Sequence, residues 1–281
     1  MHISLRRILT ALAIAVSVFI CEAQVLVTDG ETLSEDSVLQ DFSNQPYFGI
    51  YKDNYFVFGP SVNHKPSKYN TNIKFQISIA QRLTNATLPW GTYLYLFYTQ
   101  KCFWNVLENS MPMTDLNFNP GIGLTKPFFA KNRYIGKMTL IVEHESNGRD
   151  SIESRSWNRV ALASNVMVTK NLMVHGKIWI PIVDGMNNKD IVNYCGFWQV
   201  GTQFISNNKR FVAGITCVKR KGWNLNSNVT VDLAYRIFRK ENQYLYCQFY
   251  NGFGEGLLDY NRFHCQIRIG LLIKPKIFSD F

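Results

Sequence analysis

From residue 73 onward, apolar and polar side chains alternate along the chain. In Ile73-Lys-Phe-Gln-Ile-Ser-Ile79 the apolar Ile73, Phe75, Ile77 and Ile79 interleave with Lys74, Gln76 and Ser78, and Arg82 extends the polar register. A β-strand turns successive side chains to opposite faces, so this period of two predicts a strand with one apolar and one wet face. The pattern recurs in Val229, Val231, Leu233, Tyr235 and Ile237 against Thr230, Asp232 and Arg236, and in Cys265, Ile267, Ile269, Leu271 and Ile273 against Gln266 and Arg268. Such runs predict about twelve strands, starting near Tyr51, Asn72, Thr92, Asn117, Gly136, Arg155, Lys170, Asn193, Arg210, Asn228, Gln243 and Arg262. The fourth, around Pro120, and the eighth carry the least regular pattern.

The connections between these strands sort by side. With both termini on one side, the turns there are mostly brief (around Thr169, Asn207 to Asn208 and Lys240 to Asn242). Opposite them lie longer loops: Gly59 to Asn70, Lys101 to Thr114, Asn147 to Ser154, Asp184 to Asp190 and Asn251 to Asn261. A soluble sandwich would show similar strands without that asymmetry. Short turns facing long loops, with an even strand count, predict an all-β transmembrane antiparallel β-barrel, where closure leaves no unpaired strand edge in lipid. The terminal aromatic Phe281 agrees with this class.

Composition refines the picture. Arg6 and Arg7 followed by the apolar Ile8 to Ile20 and by Cys21-Glu22-Ala23 read as an export signal over residues 1–23. Residues 24–45 are polar, acidic and aperiodic, a flexible lead-in, and residues 46–281 form the barrel domain. Without the signal, Lys plus Arg falls from 30 to 28, Asp plus Glu from 20 to 19, and the net charge from +10 to +9. In an exported chain such an excess suits phosphate-bearing lipids and argues against nucleic acid. The remaining cysteines, Cys102, Cys195, Cys217, Cys247 and Cys265, are odd in number and lack CxxC spacing, so they read as apolar fillers.

One span carries chemistry: His144 to Asn158, HESNGRDSIESRSWN. Period two puts Met138, Leu140, Val142, His144 and Ser146 on the lipid side of strand five, and Ser156, Asn158, Val160 and Leu162 on the lipid side of strand six. Both strands approach the long-loop side there, so Asn158 can reach across to His144. On the residues alone two readings stand. The three are polar side chains at the membrane boundary, or they are a nucleophile, a base and an orienter. In the second reading neutral His144 takes the Ser146 proton while the Asn158 amide oxygen accepts the other imidazole N–H. An amide does this without the charge that makes a lipid-facing carboxylate costly. Glu143, Glu145, Arg155 and Arg159, on the opposite face, are expected as charge partners lining the interior.

The span resembles the signature of the outer membrane phospholipase A family, HxSNGR followed by SRSWNR, which stand here as His144-Glu-Ser-Asn-Gly-Arg149 and Ser154-Arg-Ser-Trp-Asn-Arg159. Similarity extends through Lys74 to Ala80, Tyr98-Thr-Gln100 with Trp104, and Tyr250 to Asn261, covering most of the chain from about Tyr47. The resemblance implies a calcium-dependent outer-membrane phospholipase that hydrolyses sn-1 and sn-2 acyl esters of phospholipids and lysophospholipids in the outer leaflet, active as a homodimer. It implies Ser146 as nucleophile, His144 as base and Asn158 as orienter. It further implies calcium held by the Arg149 carbonyl, the Ser154 hydroxyl and, from the partner subunit, a loop carbonyl matched here to Ser110. That ion would organise the oxyanion site with the Ser146 backbone N–H. Gln100, on the lipid side with Leu94, Leu96 and Tyr98, is implied as a dimer contact. The chain departs from the pattern at Asp150-Ser151, where the family has serine then aspartate, which puts an additional calcium site in question, and at Gly256, where the family has serine. A porin-like or structural barrel that keeps the motif without activity is the alternative.

Overall fold

The computed structural model describes residues 47–84, 88–130, 133–238 and 241–275, together with the short antiparallel pair Val27–Thr28 and Glu31–Thr32. The export segment, the rest of the lead-in and Phe281 lie outside the described residues.

Within these residues the fold is a closed antiparallel barrel of twelve strands. Strand β1 is interrupted, with segments Phe48–Ile50 and Asn54–Pro60. The others are β2 Thr71–Arg82, β3 Tyr93–Trp104, β4 Met113–Ala130, β5 Arg133–Ser146, β6 Ser156–Met167, β7 Leu172–Ile182, β8 Trp198–Ile205, β9 Phe211–Lys219, β10 Ser227–Arg236, β11 Gln243–Gly252 and β12 His264–Ile273. Each pairs with its sequence neighbours, and β12 pairs with β1 to close the ring. The break in β1 has a local cause. Ile50 opposes Ile79 and Tyr55 opposes Gln76, so more residues are used on β1 than on β2, and Tyr51–Asp53 bulge inward. The buried Tyr51 ring then lies 4.2 Å from that of Phe97.

The start expected near Asn193 is displaced: Val192–Cys195 form a single helical turn, α1, and β8 begins at Trp198. Gly196, in a left-handed conformation (φ 70), ends the turn. The fourth strand runs straight through Pro120.

Strand parity holds around the wall. Val142 is 53% exposed and Ile180 69%, whereas their neighbours Ile141 and Trp179 are 1% and 8%. The outer surface is therefore an apolar belt, and the crossing is made by strands; among the described residues no helix is long and apolar enough to cross a membrane. Inside, Tyr93, Phe97, Trp179, Tyr244 and Tyr246 are buried together with Lys74, Glu143, Lys177, Glu255 and Arg268. Ion pairs join Lys74 to Glu255 (3.1 Å), Arg268 to Glu255 (2.6 Å) and Lys177 to Glu143 (2.5 Å), leaving an interior cavity of about 320 Å³. This filling works against conduction.

Candidate active site

The span His144 to Asn158 occupies the end of β5, a loop and the start of β6, at the long-loop rim. His144 is paired directly with Asn158, and Ser146 with Ser156. That register follows from matching apolar faces: a slip of one residue would turn Val142 and Leu162 into the lumen and Glu143 and Arg159 into lipid. His144 Nδ1 lies 2.8 Å from Asn158 Oδ1. Ser146 stands two residues further along β5 on the same face, half-buried like the other two. Because the amide oxygen can only accept, Nδ1 carries the proton in this contact and Nε2 keeps its lone pair.

The inner face fixes the same two strands. Arg159 pairs with Glu143 at 3.0 Å and with Glu145 at 2.9 Å, and its guanidinium lies 4.2 Å from the Trp157 ring. Trp157, 1% exposed, donates from Nε1 to Glu145 at 3.1 Å. Both glutamates are thus charge partners in the interior, as expected. Arg155 differs from expectation. It donates to the Ile152 and Ser154 carbonyls, at 2.7 and 2.9 Å, because it sits in the loop just before β6 begins.

Asn147, 3% exposed, organises the loop after Ser146. Its Oδ1 accepts from the Arg149 and Arg155 backbone N–H groups at 3.3 and 3.0 Å, and its Nδ2 donates to the Glu153 carbonyl at 2.8 Å. Gly148 has φ 64, and a Cβ there would lie 2.9 Å from the Phe118 ring, so only glycine fits beside the phenylalanine that opposes Ser146. Between them Ser151–Glu153 form a 3-10 turn. The Arg149 side chain ion-pairs with Glu153 and donates to the Thr114 carbonyl at 2.7 Å, tying this loop to the root of the one that carries Ser110. Ser110 is exposed, with φ 70.

The oxygens at Arg149 and Ser154 suit a hard cation: a carbonyl and a hydroxyl on a loop pinned by Asn147, with the exposed Asp150 next to Arg149 in the chain. Among the described residues no group of three or more His, Cys, Asp or Glu side chains is placed to hold a metal ion.

Gln100 lies on the lipid side, opposite Ile77. Its amide already has partners on its own strand: the Tyr98 hydroxyl donates to Oε1 at 3.0 Å, and Nε2 points at Cys102 Sγ at 3.5 Å. A second lone pair and a second N–H remain available to an outside partner.

The loop 253–263 closes the rim above the lumen. Leu257 and Leu258 donate their backbone N–H groups to Asp115 Oδ2 at 2.7 and 3.0 Å, and Leu257 and Tyr260 pack with Trp157. Burial alone would raise the Glu255 carboxyl; Arg268 and Lys74 overcome that and hold it well below the usual carboxylate range. Gly256 belongs to this packing, since a Cβ there would come within 2.6 Å of Asp115 Oδ2. Asp115, Asn147 and Asp184 escaped the reading by strand parity; for Asp184 the register supplies a signal, because Asn158 opposes Ile182 two residues before it.

The family model for phospholipase A1 matches residues 39–273. The chain belongs to the phospholipase A1 family. It is 29% identical over 261 residues to a phospholipase A1 of Proteus vulgaris, covering 84% of this chain and 85% of that protein. It is 28% identical over 255 residues to that of Escherichia coli K12, with the same two coverages. A solved outer membrane phospholipase of Salmonella typhi, a dimer with bound calcium, superposes with a TM-score of 0.71 at 26% identity, covering 82% of this chain and 93% of that one. An active-site mutant of the Escherichia coli outer membrane phospholipase A gives 0.72 at 25% identity, covering 86% and 97%. Within this family the pairing of His144 with Asn158 gains a chemical context.

Proposed function

We propose that this member of the phospholipase A1 family is an outer-membrane acyl hydrolase that cleaves ester bonds of phospholipids and lysophospholipids with Ser146, His144 and Asn158. The observation that carries the reading is the 2.8 Å contact between His144 Nδ1 and Asn158 Oδ1 on the lipid side of the wall, with Ser146 on the same face of β5. Held by Asn158, His144 presents Nε2 as the base. It takes the Ser146 proton as Oγ attacks the acyl carbonyl, then returns that proton to the departing glycerol oxygen. Water deprotonated by the same imidazole releases the fatty acid from Ser146. The flanking wall, with Val142, Ile180 and Ile182 exposed, offers an apolar surface along which an acyl chain can lie.

Calcium, when bound, would supply positive charge for the developing oxyanion, with the Arg149 carbonyl, the Ser154 hydroxyl and Ser110 of a second copy as ligands. In this reading the active species is a homodimer to which Gln100 contributes across the apolar belt. Residues 1–23 direct export, and the rim bearing the site faces the outer leaflet. Hydrolysis of defined phospholipid vesicles by wild type and by Ser146→Ala, with and without calcium, tests it. Only wild type with calcium should release fatty acid; full activity in Ser146→Ala overturns the nucleophile, and steady channel conductance from an inactive wild type would favour a porin-like barrel.

A further inference from the structure

Asp184 stands at the head of the loop after β7 and contacts two lipid-side residues of β6. Its Oδ2 accepts from Asn158 Nδ2 at 2.9 Å, and its Oδ1 accepts from the Ser156 hydroxyl at 3.3 Å. We propose that Asp184 is a positioning residue of the active site, a fourth member of the chain Ser146, His144, Asn158, Asp184 that fixes the orientation of the Asn158 amide. The proposal rests on the hydrolase reading above for its effect on rate, and on geometry alone for its effect on the imidazole.

A neutral orienter carries an inherent ambiguity. An amide has a donor end and an acceptor end of nearly the same shape, and a flip would point Nδ2 at the imidazole. Nδ1 would then have to accept, the proton would move to Nε2, and the base would be lost. A carboxylate orienter cannot fail in this way, since it only accepts. Asp184 removes the ambiguity from outside: an ionised carboxylate accepts only, so Nδ2 must face it and Oδ1 must face His144. The charge required for orientation is thereby kept one residue away from the imidazole, on an exposed residue of the rim loop beyond the end of β7.

The loop is built to hold Asp184 there. Asn188, 0% exposed, clamps the backbone of Ser156 with both ends of its amide, accepting from the N–H at 3.3 Å and donating to the carbonyl at 2.8 Å. Gly185 lies so close to that clamp that a Cβ would fall 1.9 Å from Asn188 Oδ1 and 2.7 Å from the Ser156 carbonyl. The residue after Asp184 therefore has to be glycine for the carboxylate to reach Asn158 while Asn188 grips Ser156.

The test compares wild type with Asp184→Asn, Asp184→Ala and Asp184→Glu in the full-length protein, each first shown to run as a heat-modifiable barrel. Two readouts are taken: kcat and KM on a short-chain phospholipid with calcium, and the His144 tautomer from ring 15N shifts of histidine-labelled protein in micelles. Expected is a loss of roughly three- to tenfold in kcat for Asp184→Asn and Asp184→Ala, the size of one ordinary solvent-exposed hydrogen bond, with KM unchanged. A second signal for Nε2-protonated His144 should accompany it, and Asp184→Glu should recover most of both. Unchanged kcat, or a loss of kcat with the Nδ1–H tautomer intact, overturns the proposal, as does failure of Asp184→Glu to recover either readout. If wild type hydrolyses no phospholipid, the hydrolase reading fails by itself, and the tautomer comparison still decides the role of Asp184.

Discussion

His144 Nδ1 and Asn158 Oδ1 meet at 2.8 Å across the β5–β6 pair, on the outside of the barrel, while Glu143 and Arg159, one residue away on each strand, meet at 3.0 Å on the inside. The same register that makes an ion pair inward makes a neutral contact outward. A barrel wall with two chemically different sides can therefore hold an imidazole on its lipid side through an amide rather than a carboxylate.

Asn158→Ala should lower kcat roughly five- to 150-fold with little change in KM, because a half-buried imidazole N–H left without an acceptor costs about 1–3 kcal/mol and the loss is felt where His144 must be aligned. Steady-state hydrolysis of a short-chain phospholipid measures it. A rise in KM at constant kcat would reassign Asn158 to substrate binding.

Chelation should silence the enzyme, and Ser154→Ala should raise the calcium needed for half-maximal activity on the order of tenfold, the scale of one altered contact in a metal site. A calcium titration of activity reads both. Activity undiminished by chelator would remove the metal from the reading.

Glu255→Gln should destabilise the barrel by about 3–5 kcal/mol, since it leaves buried Arg268 and Lys74 without their carboxylate. A carboxyl held below its unfolded value contributes stability that is complete above the usual range, about 4.3, and lost as pH falls through the lower folded value. The gap in unfolding temperature between wild type and Glu255→Gln should therefore be widest near neutrality and narrow below about pH 4. A constant gap would show that Glu255 acts through packing alone.

Cys195 in α1, the turn Val192–Cys195, should resist alkylation at pH 8 in the folded barrel and react after unfolding. Burial, with Glu145 adding to it, pushes its thiol up to about 12, so the reactive thiolate is scarce. Mass spectrometry after iodoacetamide treatment measures the modified fraction. Rapid labelling of the native protein would contradict this environment.

Gln100→Ala should weaken association of two copies in detergent with calcium, measured by chemical cross-linking, while leaving the monomer folded, because Tyr98 and Cys102 occupy only part of the amide's capacity. Undiminished cross-linking would confine Gln100 to its own strand.

Alternation along the chain determined the strands, their number, which side of each meets lipid, and that His144, Ser146 and Asn158 share a face. These follow from a period of two, which each strand displays within its own short stretch of sequence. Two strand starts strayed, at the bulge Tyr51–Asp53 and at α1, where the inserted residues answer to other strands: Tyr51 to Ser78 of β2 and the Phe97 ring of β3, and Tyr194 to Asn228 of β10. Only tertiary structure decided what the loops do: Asn147 gathering the amides of Arg149 and Arg155, Glu255 joining Arg268 of the next strand to Lys74 far along the chain, and Asp184 arriving from the end of β7 to hold Asn158. Loop contacts have no period to read. Each depends on the closure of the ring bringing separate rim segments together, which becomes visible only when every strand has found its neighbour.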